Sequence, residues 1–438
     1  MIETILLLLI LLFRSSVYAQ EYKVDLDIRS RFEYRKGFGE PRPTDEDLDV
    51  AANFISQRTR MNTFFKDKRS FIELKFSFQD VRTWGATPIL NNIDYGNFSL
   101  YEGWAKFNIS KSTSIKVGRQ ELKYDDYRIL GNVDWAQQGL VHEAIVFTYE
   151  GLFKIHVGGG YQTDEENLYR QAYSSNNYKT LQFVWLNKSF KKLQLSFLFL
   201  NNGIEQVESI DPNFTASDLK IRFSQTMGGR LLFNLEFLDV TLNGYYQTGK
   251  DGVNRNINAY NLLLELRGKL YELVEIIVGG ELLSGNDVID DGSNKAFNPL
   301  YGMNHKFNGL MDYYYVGGRH VDNVGLQDYY AKLKFNIRDN WKLNANYHLF
   351  KSIGRQLLNS SGDLTDISLG QEFDFIATYE LNNQIKFDGG FSFLFAQEGI
   401  IDLRQLSTGI ARDKNKINKW GWFRVSINPT IFFIKNEN

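Results

Sequence analysis

Residues 22–35 read YKVDLDIRSRFEYR. Val24, Leu26, Ile28, Phe32 and Tyr34 share one parity, and Lys23, Asp25, Asp27, Arg29, Arg31, Glu33 and Arg35 share the other. A period of two belongs to a β-strand, whose successive side chains point to opposite faces. One such strand would suit a soluble sandwich. Followed along the whole chain, the same alternation predicts about 18 strands, an even number of the kind closed membrane barrels use.

The connections between these segments are sorted by length. Tight turns are expected at Lys66 to Arg69, Ser110 to Ser112, Glu150-Gly151, Asn234 to Leu238, Asp339-Asn340 and Asn382-Asn383, where Gly, Asn and Asp supply the backbone conformations a hairpin needs. Longer polar connections are expected near 37–51, 83–97, 123–139, 163–178, 202–217, 284–324, 353–369 and 397–418. Short and long are expected to alternate without exception, which predicts a transmembrane antiparallel β-barrel with short periplasmic turns and long extracellular loops. The parity carrying Leu193, Leu195, Phe197 and Phe199, and that carrying Ile385, Phe387, Phe391, Phe393 and Phe395, is expected to face lipid. Tyr149, Phe153 and Trp341 beside the short turns suit an interfacial girdle. The last strand is expected at 419–434, opening on Trp420 and Trp422.

Composition agrees. The 438 residues include 34 Phe, 24 Tyr and 36 Gly against 6 Pro and 5 Met, a bias toward strand formers. A mean hydropathy of -0.34 argues against a bundle of membrane helices but suits a barrel, which shows lipid only every second residue. The absence of cysteine excludes disulfides, Cys-ligated metal and thiol nucleophiles. A net charge of -2 gives no nucleic-acid footprint. Residues Thr4 to Phe13 form an apolar run suited to a secretory signal although its n-region carries Glu3 and no Lys or Arg, and Val17-Tyr18-Ala19 fits a cleavage site. The expected organisation is a signal peptide over 1–19 and a single barrel domain over 20–438.

The parity opposite the lipid face is densely charged. Arg29 and Arg31 on the first strand and Arg58 and Arg60 on the second form a candidate basic stripe, with Lys106, Lys116, Lys154 and Arg222 at inward positions elsewhere. Arginine stays charged and matches carboxylates bidentately, so such a stripe would concentrate anionic solutes. Carboxylates at Asp25, Asp27, Glu33, Glu73, Glu102, Glu275, Glu281, Asp328, Glu372, Asp374 and Asp388 are interleaved with the bases, and the alternative is a wall of mutually neutralising ion pairs. Burying so many charges in a dry core would cost several kcal/mol apiece, so a hydrated interior is expected.

Signals for other chemistry are poor. His142, His156, His305, His320 and His348 lack metal-ligand spacing, Ser189-Phe190-Lys191-Lys192 falls on a turn, and Gly158-Gly159-Gly160 sits inside a strand, where it permits bending or close packing. The acidic loops at Asp45-Glu46-Asp47 and Asp287 to Asn294 read as solvated loops rather than calcium sites. No cofactor, metal or catalytic group is called for.

Two stretches go beyond generic barrel pattern. Val117-Gly118-Arg119-Gln120-Glu121-Leu122, continuing through Tyr124-Asp125-Asp126-Tyr127-Arg128-Ile129-Leu130-Gly131 to Trp135, resembles the strand-and-loop signature of the alginate export family. Asn298 to Tyr313, NPLYGMNHKFNGLMDY, is similar to the long-loop segment of Bacteroidetes-type members, and Arg58-Thr59-Arg60 adds a short match. The resemblance implies a monomeric barrel through which an anionic polysaccharide crosses the outer membrane of a Gram-negative cell by way of an arginine-rich constriction. It adds Arg119 and Arg128 to the candidate anion-selective residues. The partners it implies are outer-membrane lipid and lipopolysaccharide, the barrel-assembly machinery and periplasmic polysaccharide-secretion proteins, without nucleic acid. The expected function is a porin-type channel with loops folded partly into the lumen. The competing expectations are a general uptake porin, a plugged adhesin, and a hydrolase at the loop rim built on His142, His305 or His320.

Overall fold

The computed structural model describes residues 19–87, 98–166, 168–169, 173, 178–207, 219–270, 273–289, 291–316, 323–358 and 362–435. The expected signal segment up to residue 18, His320 and parts of several loops lie outside the described residues.

The strands are β1 Ala19–Lys36, β2 Ala52–Asp67, β3 Ile72–Thr83, β4 Phe98–Asn108, β5 Thr113–Gln120, β6 His142–Glu150, β7 Lys154–Tyr161, β8 Thr180–Ser189, β9 Leu193–Val207 and β10 Leu219–Asn234. The second half supplies β11 Leu238–Lys250, β12 Asn256–Leu270, β13 Val274–Leu283, β14 Ser293–Asn294, β15 Leu326–Arg338, β16 Trp341–Lys351, β17 Ser368–Glu380, β18 Ile385–Ala396, β19 Asn418–Ile427 and β20 Thr430–Lys435. They form one 20-stranded sheet in which each long strand pairs antiparallel with the next. β14 is a two-residue piece at the rim, parallel to the start of β12. β19 and β20 are one stave broken at Asn428-Pro429, the first part pairing with Ile28 to Lys36 of β1 and the second with Glu21 to Asp25. Proline cannot donate to the ladder, which accounts for the break. Eighteen staves therefore close the barrel, with β1 bonded to β2 on one side and to β19 and β20 on the other.

The parity expected to face lipid does so: Phe197 is 44% exposed and Phe391 38%, while Arg29, Arg31, Glu33, Asp374 and Asp388 are buried inside. Aromatic rings line the turn end, where Trp341 lies 4.8 Å from Tyr379 and Tyr149 5.4 Å from Phe153. The glycine run in β7 is a close-packing device: a Cβ on Gly158 would come within 2.6 Å of the Phe183 ring, and one on Gly160 within 2.4 Å of the Glu143 carbonyl oxygen.

Three expectations need correction. Short and long connections do not alternate without exception, because β11 and β12 are joined at the loop end by a tight turn closed by an Asp251 N–H donating to the Arg255 carbonyl at 3.1 Å. The last long connection, expected to be polar, carries the helix Glu398–Thr408, whose Ile400, Ile401 and Leu403 are buried. The lumen is not hydrated throughout. Leu181, Phe183, Leu198, Leu200, Phe350 and Leu394 point inward and pack, fully buried, against loop residues such as Ile129, Leu130, Met311 and Tyr313. Each such side chain contributes about 1.5–3 kcal/mol when removed from water, enough to hold loops inside a barrel.

Candidate functional site in the lumen

Two connections fold inward: loop A, between β5 and β6, and loop B, between β13 and β15. They carry the two stretches singled out in the sequence, and inside the barrel they bond to each other. Gly131 N–H donates to Tyr301 O at 3.0 Å, Tyr301 N–H to Ile129 O at 3.1 Å and Met303 N–H to Tyr127 O at 2.8 Å, a short parallel ladder around the Leu130–Tyr301 bridge.

Loop A is fastened to the arginine wall. Arg29 and Arg58 are register partners on β1 and β2, and the two oxygens of Asp134 divide between them, at 3.1 Å from Arg29 and 3.0 Å from Arg58. Arg29 Nε also donates to Gln137 at 2.9 Å, and Arg58 bonds Asp27. Arg31 donates to the Trp135 carbonyl at 2.7 Å and to Glu33 at 2.9 Å, with its guanidinium 4.1 Å above the Trp135 ring. The other face of that ring stacks on His305 of loop B at 4.3 Å, and Trp420 and Trp422 box in its edges at 5.6 and 5.0 Å. Trp135 is thus the keystone between wall, loop A and loop B. Burial opposes ionisation of Asp134, but Arg29 and Arg58 outweigh it and hold the carboxyl below its usual pKa.

Loop B is fastened to inward carboxylates. Arg128 of loop A meets Glu281 at 2.8 Å and donates to Asn308 at 3.0 Å, and Asn308 in turn donates to Glu281 at 2.8 Å and Asp328 at 3.2 Å. Glu372 accepts the main-chain N–H groups of Leu310 and Met311. The tip turns through Asn308 and Gly309 at φ 57° and 82°, and a Cβ on Gly309 would sit 2.6 Å from the Glu372 carboxylate, which requires glycine there.

Of the candidate residues, Arg29, Arg31, Arg58 and Arg60 do form one cluster, but they are covered rather than open to the bore: Arg29 and Arg58 are each 3% exposed. Arg60 lies 3.4 Å over the Tyr101 ring and donates to Gln79 at 2.7 Å, with no carboxylate partner among the described residues. Lys106 faces inward and pairs with Glu73 at 3.5 Å, and Lys116 faces inward over Trp104. Lys154 shares the inward parity of His156 at the turn end, and Arg222 donates to the Gly252 carbonyl at the rim. Arg119 is a correction. Its strand places it with Val117 on the outer face, paired with exposed Glu143 at 2.7 Å, because the inward parity of β5 belongs to Ser114, Lys116 and Gln120. Arg128 is a buried latch between the loops, 1% exposed, rather than a free pore-lining cation.

Much of the remaining wall is paired as the ion-pair alternative expected: Lys75 with Glu102, Lys334 with Glu275 and Arg424 with Asp388. Sequence reading missed Asp134 and Gln137 as the clamp and Trp135 as the keystone. The available signal was the loss of polar alternation at Phe197-Leu198-Phe199-Leu200, which demanded an apolar cover inside the barrel. Of the rim histidines, His142 is buried against the Tyr178 hydroxyl at 3.1 Å and His305 bonds Asp312 at 2.5 Å within the Trp135 stack, while His320 lies outside the described residues.

Several cavities border the loops, among them one of ≈ 650 Å³ beside Gln79, Tyr101 and Gln138. A vestibule of ≈ 850 Å³ on the loop side is bordered by Arg31, Arg35, Arg82, Trp135, Tyr301 and His305. A chamber of ≈ 210 Å³ lies on the turn side, below the tips of both loops.

Comparison with known proteins agrees with this architecture. The alginate export family profile matches residues 20–398. Among solved structures, OpdL of Pseudomonas aeruginosa is similar with a TM-score of 0.61 at 12% identity, covering 94% of this chain and 99% of that one. OccK3 (OpdO) of the same organism gives 0.59 at 12% identity, with 94% and 96% covered. The outer membrane protein OpdK, also of P. aeruginosa, gives 0.59 at 11% identity, with 94% and 100% covered. Among curated proteins no sequence relative matches the chain.

Proposed function

Because the chain belongs to the alginate export family, a family of outer-membrane barrels, we propose that it is a passive channel of a Gram-negative outer membrane for solutes bearing carboxylates, with anionic oligo- or polysaccharide as the cargo class. One observation carries this reading: the wall already holds a carboxylate. Asp134 divides its oxygens between Arg29 and Arg58, the arrangement a uronate group would need on the same wall. Arg60 beside them adds a cation without a carboxylate of its own among the described residues. Transport is passive because a barrel supplies a path and no energy source. The test is ion selectivity in planar bilayers. Arg58→Gln with Arg60→Gln should lower the anion-to-cation permeability ratio several-fold, and an unchanged ratio would sink the proposal.

A second reading, uptake of small anionic solutes, is favoured by one feature. The cavities beside the loops measure ≈ 850, ≈ 650 and ≈ 210 Å³, closer to the size of single sugar acids than to a polymer strand. Exclusion of graded oligouronates by the purified channel separates the two.

A further inference from the structure

The chamber on the turn side gathers Lys306, Lys332 and Arg230, none of which has a carboxylate closer than 4.0 Å among the described residues. Its ceiling is Lys306, at the end of the 3-10 turn Asn304–Lys306 in loop B, whose ammonium donates to the Asp126 main-chain carbonyl at 2.9 Å. Its wall carries Lys332 of β15, 4.4 Å over the Tyr330 ring, and Arg230 of β10, whose Nε is buried without a hydrogen-bond partner and stands 4.0 Å from the nearest carboxylate, Asp126. Among the described residues neither Lys306 nor Lys332 has a carboxylate at ion-pair distance.

Of the four acids around the chamber, Asp126 accepts from the Asn243 amide at 2.6 Å and stands 4.0 Å from Arg230, and the other three are engaged elsewhere. Glu281 holds Arg128, Asp328 holds His348, and Glu265 holds both Arg267 and the Tyr330 hydroxyl. Three cations from two staves and a loop tip thus converge on one polar cavity. Burial pushes the Lys306 ammonium below its ordinary pKa; the Asp126 and Glu265 carboxylates oppose this and the charges of Arg230 and Lys332 add to it. Like charges brought together in a confined space attract an anion to the gap between them. At about 30 Å³ per water, a chamber of ≈ 210 Å³ holds the volume of about seven waters, room for a compact polycarboxylate or one carboxylated ring.

We propose that Lys306, Lys332 and Arg230 form a second anion station, binding carboxylates on the turn side of the constriction, separate from the Arg29–Arg58 wall. This rests on the channel reading above. The station would hold an anionic group below the loop tips before it meets the wall, or after it leaves it.

Citrate block of the whole barrel in planar bilayers tests this, with citrate added to one compartment at a time and anion selectivity recorded in the same channels. Wild type should be blocked from the turn side, and Lys306→Gln with Lys332→Gln should weaken that block about tenfold. Lys332→Arg should retain it, which separates lost charge from a misfolded barrel, and heat-dependent electrophoretic mobility checks that the double variant folds. If the double variant blocks like wild type while the channel stays anion-selective, the station is refuted and the channel reading stands. If wild type shows no anion selectivity, the channel reading fails first and takes the station with it.

Discussion

Asp134→Asn is the most informative single change in the lumen, because it keeps the shape of the clamp and removes its charge. At an effective dielectric constant of about 20, a contact near 3 Å is worth about 5 kcal/mol before desolvation. The Asp134 side chain is 47% exposed, however, and Arg58 keeps Asp27, so solvent screening leaves about 1–2 kcal/mol of net loop attachment. The effect on permeating ions is larger relative to what an assay can resolve. A unit charge about 5 Å from an ion in water contributes about 0.8 kcal/mol, and a Debye length of about 10 Å at 0.1 M salt reduces this to about 0.5. Anions gain that amount and cations lose it, so the anion-to-cation permeability ratio should rise roughly fivefold at RT of about 0.6 kcal/mol. The assay is the reversal potential of single channels across a tenfold salt gradient. A ratio within twofold of wild type, or a shift toward cations, would refute the placement of Asp134 as the carboxylate that quenches the arginine wall. The same logic fixes the pH dependence. The pKa of Asp134 is lowered in the folded barrel, so the clamp is complete above the ordinary aspartate value near 4 and is lost as pH falls through the lower folded value. Wild-type selectivity should therefore be flat from about pH 5 to 8 and turn toward anions only in strong acid.

Other outcomes follow from neighbouring contacts. Trp135→Ala removes the keystone between Arg31 and His305, a truncation worth about 3–5 kcal/mol in a packed site, and should raise single-channel conductance by releasing loops A and B from each other; unchanged conductance would refute the keystone role. Arg128→Met leaves Glu281 buried without its cation, a loss of about 3–5 kcal/mol that should appear as a lower unfolding temperature, and Arg128→Met with Glu281→Gln should recover part of it. At the rim, Asp49 ties the connection 37–51 to Lys416 of the last loop and to Arg42, whose hydrogen bonds lower its pKa to about 2. Since the folded pKa is depressed, this clasp is intact above about pH 4 and opens only as pH approaches 2, which limited proteolysis of that loop by an acid protease would report.

Some of this was legible in residues and some was not. The alternation from Tyr22 to Arg35 determined that β1 is a two-faced stave with arginines inside, because side-chain direction in a strand depends only on parity. The same rule sets Arg119 opposite in parity to Lys116, but Arg119 entered the candidate list through the family resemblance alone; its pairing with Glu143 puts it on the outer face. Where alternation failed, at Phe197 to Leu200, the sequence signalled an apolar inner wall without saying what covers it.

By itself the sequence determined the barrel, the number of its staves, the end that bears the loops and the charged parity of its wall, since all of these follow from local periodicity and turn chemistry. Only the tertiary structure decided what the charges do. Asp134 lies 105 residues from Arg29, and Arg128 lies 180 from Asn308. No local pattern specifies which carboxylate a guanidinium meets at such separations. That choice is made by two loops whose apolar faces are driven into the lumen, and it divides the inward arginines and lysines into clamps that hold the loops and cations that, among the described residues, have no carboxylate in close contact.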